Sequence, residues 1–202
     1  MKIALASQPT LDDSIALNVN RIVQMWSRES NSKTDWESLK QYLINILNRV
    51  YKYHKAFKYN LYKFEKAGQL TASKAGYISM DRLYSTIGVN GFNEAAMFLG
   101  MKVSDNEDYK KFCNLITSTI SEQNKLNSTP KYKFNQEFVP AESLGSKNFN
   151  WDRNDGFWVP EDGRVLYNSY FYDAHDETSP LEKLRMHGRD YTKNLDGRKA
   201  AC

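Results

Sequence analysis

The chain has 202 residues, a length that suits one domain and allows about 70% of the surface of the unfolded chain to be buried. Its content of 41% hydrophobic and 13% aromatic residues is typical of a folded globular protein and excludes an intrinsically disordered one. The net charge of +4 is small, and the basic residues are interleaved with acidic ones without an RNA-binding or zinc-finger motif, so we expect no direct nucleic-acid partner.

Cysteine content and hydropathy predict the compartment. The two cysteines, Cys113 and Cys202, are too few for a disulfide scaffold or for a cysteine-ligated zinc site. The first apolar run ends at Ser7, which makes it too short for a signal sequence, and no apolar run approaches the ~20 residues that span a bilayer. We therefore expect a soluble, cytoplasmic protein with no membrane partner and no metal site.

The amino-terminal part of the chain is predicted to be helical. Apolar residues between Ile15 and Trp26 predict a helix that starts near Asp12 or Asp13 and ends at the polar stretch Ser30–Lys33. This interpretation makes the whole stretch one amphipathic helix.

A long amphipathic helix is predicted next, ending before Gly68. Thr34 and Glu37 form a capping box at its start. The apolar residues that recur at three- and four-residue spacing are Trp36, Leu39, Leu43, Ile46, Val50, Tyr53 and Phe57. His54 lies beside this stripe, where a packed or solvated histidine is a better interpretation than a catalytic one.

An extended segment over Gly76–Asn90 is predicted to end in a turn at Gly88–Gly91, because glycine and asparagine tolerate positive φ. A short helix over Glu94–Leu99 follows. Ser104 and Glu107 predict a second capping box, which opens a further helix. Cys113 is expected to be a buried, inert thiol on that helix.

The stretch Tyr132–Gly145 reads as a strand that leads into the first turn of a helix, with Pro140 suited to the first helical position. Such a corner presents free backbone N–H groups and the positive end of a helix dipole. It also carries Glu137 and Glu142, and alternation places Asn135 on the same strand face as Glu137. The alternative is an edge strand with solvated acidic residues.

The remaining chain is predicted to be irregular as far as an extended segment, Val165–Tyr172. Ser179, followed by proline, then predicts the start of a helix on which His187 is half-buried. His175 lies in an acidic loop and is the more plausible ligand or base, although no second ligand lies at metal-binding spacing.

Three motifs in one order resemble a known family. Asn135–Leu144, NQEFVPAESL, resembles the N-x-E-x-V-P-A-E-N-L motif of anaerobic (class III) ribonucleotide reductases, which are glycyl radical enzymes. Thr86–Gly100, TIGVNGFNEAAMFLG, is similar to their T-I-G-x-N-G-x-x-E-A-A-x-x-L-G segment, and Tyr167–Tyr172 is similar to a run in phage-like members. The resemblance covers nearly the whole chain but only an internal part of that family's catalytic subunit.

The resemblance implies an α/β fold that forms part, the second half, of a ten-stranded barrel. Residues 1–202 are then expected to be a single segment of the catalytic barrel domain. The family's thiyl cysteine loop would precede this segment, and its zinc cysteines and radical glycine would follow it. We therefore expect a fragment or split subunit that is inactive alone.

The implied reaction is the reduction of ribonucleoside triphosphates to deoxyribonucleotides, which supplies DNA replication. In the family a thiyl radical removes the ribose 3′ hydrogen and the 2′ hydroxyl leaves as water. Leu17–Ile22 is similar to the family's I-N-L-P-R-I, with Asn20 in place of the proline, and this match adds Asn18 to the site. The residues implied to be catalytic are Glu142, Glu137 and Asn18, and those implied to bind substrate are Asn135, Ala141, Ser143 and Asn90.

The cofactors and partners implied by the resemblance lie outside this segment. They are a glycyl radical, an iron–sulfur activase that uses S-adenosylmethionine, a formate or dithiol reductant and a structural zinc. The partners are the ribonucleoside triphosphate, the remaining reductase segments and a second copy of the complete enzyme. Two alternatives stay open: a nucleotide-binding module without chemistry, and a purely structural subunit of a split enzyme.

Overall fold

The structure, a computed structural model, describes residues 13–138, 142–173 and 178–196. The strands in this part of the chain are β1 (Asp13–Asn18), β2 (Tyr84–Asn90) and β3 (Lys133–Phe138). The helices are α1 (Val19–Ser30), α2 (Trp36–Lys66), α3 (Thr71–Lys74), α4 (Phe92–Phe98), α5 (Glu107–Asn127), α6 (Glu142–Asn154), α7 (Pro180–Met186) and α8 (Arg189–Thr192), with a 3₁₀ turn at Met80–Arg82.

The three strands form one parallel sheet in the order β1-β2-β3. Helices occupy the connections between the strands, as parallel pairing requires. The α/β class is therefore confirmed, whereas the closed barrel stays a prediction.

The two faces of the sheet have different surroundings. One face packs its apolar side chains into the main core against residues of α2, α4 and α5. The strand residues of that face are Ile15, Leu17, Ile87, Val89, Phe134 and Phe138. The opposite face carries small and polar residues, where Ala16 packs with Leu144 and Trp151 of α6. Gln136 is a polar residue on the apolar, core-facing side of the sheet. It is completely buried, and neither its Nε2 nor its Oε1 has a hydrogen-bond partner among the described residues.

The predicted helix from Asp12 or Asp13 to Trp26 is wrong in its first half. Residues 13–18 form β1, and α1 begins only at Val19. The alternation of Ile15 and Leu17 serves the sheet, and the helical spacing begins with Val19. The predicted end at the polar stretch is confirmed, since α1 ends at Ser30.

The two predicted capping residues lie one and two residues before the observed helix caps. Asp35, not Thr34, caps α2, with its carboxylate accepting from the Ser38 N–H at 3.1 Å. Asn106, not Ser104, caps α5, with its side chain accepting from the Tyr109 N–H at 2.9 Å. Asx side chains are stronger N-caps than threonine, which accounts for the first shift.

Three further boundaries differ from the prediction. The sheet extends through residues 88–90, so the predicted turn there is wrong and the chain turns at Gly91, where φ is +82°. The helix that begins at Glu142 continues to Asn154 and takes in part of the stretch predicted to be irregular. Val165–Tyr172 forms bends rather than a strand.

The amino ends of β1 and β2 are closed by a buried polar group that we name the amino-end cluster: Asp13, His54, Lys58 and Ser85. The Asp13 carboxylate lies 2.7 Å from His54 Nδ1 and accepts from Ser85 Oγ at 2.5 Å. Lys58 Nζ donates to the Leu83 carbonyl at 2.7 Å, and burial lowers the pKa of this lysine. His54 is therefore packed, as predicted.

Cys113 is completely buried, and burial raises the pKa of its thiol well above the ordinary value. This agrees with the predicted inert thiol. His187 is half-buried against the rings of Tyr170 and Tyr172, also as predicted. Within the described part of the chain, no helix is both long and apolar enough to cross a membrane.

Candidate active site

The carboxyl ends of parallel strands lie at one edge of the sheet, and two predicted site residues meet there. Asn18 ends β1 and Asn90 ends β2, and the register makes them direct neighbours. Ligands of open α/β sheets bind beyond this edge. The structure therefore brings Asn18 and Asn90 together at the edge expected for a ligand.

A polar face runs back from this edge across all three strands. Gly88 lies between Ala16 and Glu137 in the register, and Thr86 pairs with Asn135. Asn135 Nδ2 donates to Glu137 Oε1 at 2.6 Å, and both side chains are half-buried. The Asn135 Oδ1 atom is buried without a hydrogen-bond partner among the described residues. Glu137 therefore supplies a carboxylate to this face, with the amide of Asn135 beside it.

Asn18 has a structural role at the strand end. Its Oδ1 accepts from the Arg21 N–H at 3.0 Å, which caps α1, and its Nδ2 donates to Asp152 Oδ2 at 3.0 Å. These two bonds use one of two Nδ2 hydrogens and one of two Oδ1 lone pairs. The side chain is half-buried, so it retains hydrogen-bonding capacity near the surface.

Asn90 is more completely enclosed. It is 2% exposed, and its Nδ2 lies within 3.1–3.4 Å of Ser169 Oγ and of the carbonyls of Tyr167 and Asn168. Its Oδ1 accepts from Asn148 Nδ2 at 3.3 Å. The amide of Asn90 is thus engaged on both sides, as that of Asn18 is, but it is more deeply buried and has more partners.

Asn18 belongs to a buried polar group that no sequence motif predicts. We name it the carboxyl-end network: Asn18, Asn20, Arg21, Asp152 and Tyr167. Asp152 is completely buried, and its Oδ2 accepts from Asn20 Nδ2 at 3.2 Å and from the Tyr167 hydroxyl at 2.7 Å. Its Oδ1 accepts from Arg21 Nε at 2.5 Å. One carboxylate therefore ties together two helices and the segment that carries Tyr167.

Asn20, which stands where the resembling motif has proline, belongs to this network. Its Nδ2 donates to the Tyr167 hydroxyl at 2.7 Å, and its Oδ1 accepts from Gln24 at 3.0 Å. An amide can make these bonds and a proline cannot. The replacement is thus accommodated by hydrogen bonds of its own.

Helix α6 crosses the carboxyl ends of the strands and contacts two of them through polar side chains. It starts at Glu142, beyond β3, and then places Asn148 against Asn90 and Asp152 against Asn18. Gly145 is required on this path, since a Cβ there would come within 2.6 Å of the Tyr167 carbonyl oxygen. The helix therefore links the acidic corner to the ends of β1 and β2.

Arg164 holds the segment after α6 against α4. Its guanidinium contacts Glu94 at 2.9 Å, Asp173 at 2.7 Å and Asp162 at 2.5 Å. Glu94 is completely buried, and burial raises the pKa of its carboxyl to about 7 against the opposing effect of Arg164. One guanidinium facing three carboxylates does not neutralise all of them, which is consistent with a proton held on Glu94 near neutral pH.

Comparison with known proteins gives the family. A profile of the anaerobic ribonucleoside-triphosphate reductase family matches residues 13–198. The chain belongs to this family. A comparison with curated protein sequences gives no match.

Solved reductase structures share the fold of this segment. The anaerobic ribonucleotide reductase from Thermotoga maritima with dATP bound in the specificity site superimposes with a TM-score of 0.77 at 24% identity, over 91% of this chain and 31% of that one. The same enzyme with citrate in the active site gives 0.77 and 24%, over 91% and 34%, and its complex with dATP and CTP gives 0.76 and 24%, over 91% and 31%. The chain thus spans about a third of the length of these reductases.

The structure describes some of the other predicted site residues of this chain. Glu142 is the first residue of α6, and Ser143 follows it and is exposed. Ala141 and His175 lie outside the described residues. The roles of all of these residues stay predictions. Among residues 13–138, 142–173 and 178–196, no group of three potential metal ligands occurs.

Proposed function

We propose that this chain is a segment of an anaerobic ribonucleotide reductase and that it lines the cavity in which a ribonucleoside triphosphate is reduced. The observation that carries the proposal is the convergence, at one sheet edge, of Asn18 with the polar face that holds Asn135 and Glu137. The family match over residues 13–198 supports it. In this account the segment works within a larger oxidoreductase.

The proposed work of this segment is to bind the nucleotide and orient it for proton handling. A half-buried carboxylate such as Glu137 is suited to hold ribose hydroxyls or to take a proton. Glu142, in the first turn of α6, is proposed to act on the same part of the substrate. Free N–H groups at the start of that helix are suited to bind phosphate.

The radical chemistry is proposed to come from elements outside these residues. The glycyl radical, its activase, the reductant and the zinc of the resembling family are all proposed for the complete enzyme. No step of that chemistry is assigned to a residue of this chain.

The binding part of the proposal is tested on the chain itself. Isothermal titration with ATP, GTP, CTP and UTP in turn should give saturable binding of at least one of them. Glu137→Gln should weaken that binding about tenfold, because it replaces a charge-assisted hydrogen bond with a neutral one. Glu122→Gln is the matched control, since Glu122 is 55% exposed in its side chain and pairs with Lys40 at the surface of α5.

A second candidate is a structural segment that has no direct contact with substrate. The complete engagement of the Asn90 amide within the protein favours this function for the end of β2. A folded chain that binds none of the four nucleotides, and whose Glu137→Gln variant supports normal turnover in the assembled enzyme, would establish the structural function instead.

A further inference from the structure

Asp152 is the residue that sets what the end of β1 presents to its surroundings. Its carboxylate accepts from four side chains, and one of them is Asn18. No other acceptor is recorded for Asn18 Nδ2 among the described residues. The nitrogen end of the Asn18 amide is therefore held by Asp152, as its oxygen end is held by the Arg21 N–H.

The orientation of an asparagine side chain is decided by its partners, because its oxygen and nitrogen ends have nearly the same shape. Asn18 Oδ1 is directed to the Arg21 N–H and Nδ2 to the carboxylate. A neutral amide at position 152 would offer one acceptor in place of two and would direct a donor at a group of donors. The Asn18 side chain would then be held in the observed orientation by the Arg21 N–H alone.

We propose that Asp152 is a positioning residue whose charge fixes the Asn18 amide at the carboxyl end of β1. The second Nδ2 hydrogen and the second Oδ1 lone pair of Asn18 are then held in set directions toward the nucleotide. This rests on the proposed function, which places Asn18 beside the substrate. Asp152 itself is buried beneath Asn18 and acts through it.

The chain offers a matched control at the other end of the same strand. Asp13 is also a largely buried carboxylate that accepts from two side chains, Ser85 and His54. Asp13→Asn and Asp152→Asn both remove a charge from a buried hydrogen-bonding group attached to β1. They differ in which end of the strand they disturb.

The direct test is the side-chain amide signal of Asn18 in the ¹⁵N-labelled chain, assigned by its loss in Asn18→Ala. In Asp152→Asn the carboxylate-bonded proton should move toward the position of an exposed asparagine amide and exchange with solvent at least tenfold faster. In Asp13→Asn it should stay where it is. An Asn18 signal that is unchanged in Asp152→Asn would overturn the proposal.

A milder variant covers the case in which Asp152→Asn does not fold. Tyr167→Phe removes one of the three donors that share Asp152 Oδ2 and leaves the charge in place. The Asn18 proton should then move in the opposite direction, because its bond to the carboxylate becomes stronger. No movement would contradict the proposal.

The functional readout separates this proposal from the function on which it rests. In the assembled, activated reductase, Asp152→Asn should lower kcat/KM by roughly ten- to a hundredfold, while Asp13→Asn leaves it near wild type per folded molecule. If Asn18→Ala leaves kcat/KM unchanged, the placement of Asn18 beside the substrate fails, and the amide signal still decides whether Asp152 positions it. If the signal moves in Asp152→Asn, and kcat/KM falls in Asp152→Asn and Asn18→Ala but not in Asp13→Asn, both stand.

Discussion

The two ends of the parallel sheet hold buried carboxylates in similar surroundings but present different surfaces. At the amino end, Asp13 accepts from His54 and Ser85 within a cluster whose other members are almost fully buried. At the carboxyl end, Asp152 is completely buried, but it is connected through half-buried Asn18 to a polar face that includes Glu137.

This difference shows why a buried network of charged groups does not identify a site by itself. Both networks satisfy polar groups that would otherwise be costly to bury, and the amino-end cluster needs no ligand to explain it. Only the carboxyl end combines such a network with accessible functional groups at the edge where ligands of α/β sheets bind. Accessibility, more than the degree of burial, separates the two ends.

The largest expected effect is on stability at the amino end. Asp13→Ala leaves the Ser85 hydroxyl and the His54 ring without their partner, and it should lower the free energy of unfolding by about 2–5 kcal/mol, since each buried unsatisfied group costs about 1–3 kcal/mol. Urea unfolding measures this loss. If nucleotide affinity fell instead, at unchanged stability, the amino end would not be purely structural.

Glu94 predicts a pH dependence that belongs to neither end of the sheet. Its folded-state pKa of about 7 is above its ordinary value of 4.5, so between these two values the folded state binds the Glu94 proton more tightly than the unfolded state does. The contribution of this proton to the free energy of unfolding is therefore fully present below pH 4.5. As the pH rises to 7, stability should fall by up to about 1.4 kcal/mol per pH unit.

Glu94→Gln should remove this dependence, because glutamine keeps the acceptor for Arg164 and the Asn168 N–H but carries no charge. Urea unfolding at pH 4.5, 6 and 8 compares the variant with wild type. Parallel pH profiles for the two proteins would show that Arg164 keeps Glu94 ionised throughout.

A smaller effect is expected at the carboxyl end from Gly145→Ala. The added methyl group would meet the Tyr167 backbone, so α6 must move and stability should fall by about 1–3 kcal/mol. The shift should also disturb the contacts of Asn148 and Asp152 and weaken nucleotide binding. Gly68→Ala is the opposite case, since φ there is positive and strains the backbone of an alanine, but a Cβ would meet nothing within 4 Å. Equal effects of both variants on binding would remove the link between α6 and the site.

The sequence predicted the long helices well and the first strand poorly. Leu39, Leu43, Ile46 and Val50 recur over several turns of α2, and a pattern of that length has few alternatives. The six residues of β1 are followed by α1 without a turn, so their alternation merges with the helical spacing that begins at Val19. A short buried strand beside a helix cannot be separated by periodicity alone.

Only those residues of the candidate site that lie in the family's motifs could be predicted from the sequence. The resemblance selected Asn18, Asn90, Asn135 and Glu137, and the parallel register shows why residues so far apart in the chain share one edge. Asp152 could not be found this way, because its partner Asn18 lies 134 positions away and no local pattern marks either residue as half of a pair. Such contacts depend on the tertiary path of α6.

A direct role of the acidic groups at the carboxyl end in acting on the nucleotide can be measured as kcat/KM and the unfolding midpoint of Glu142→Gln in the assembled, activated reductase. As a helix-end charge alone, Glu142 would contribute about 0.3–1 kcal/mol to stability and nothing to turnover. We expect a loss of roughly ten- to a hundredfold in kcat/KM with little change in the unfolding midpoint, while Glu122→Gln stays near wild type. Near-wild-type turnover of Glu142→Gln, with the loss confined to stability, would contradict it.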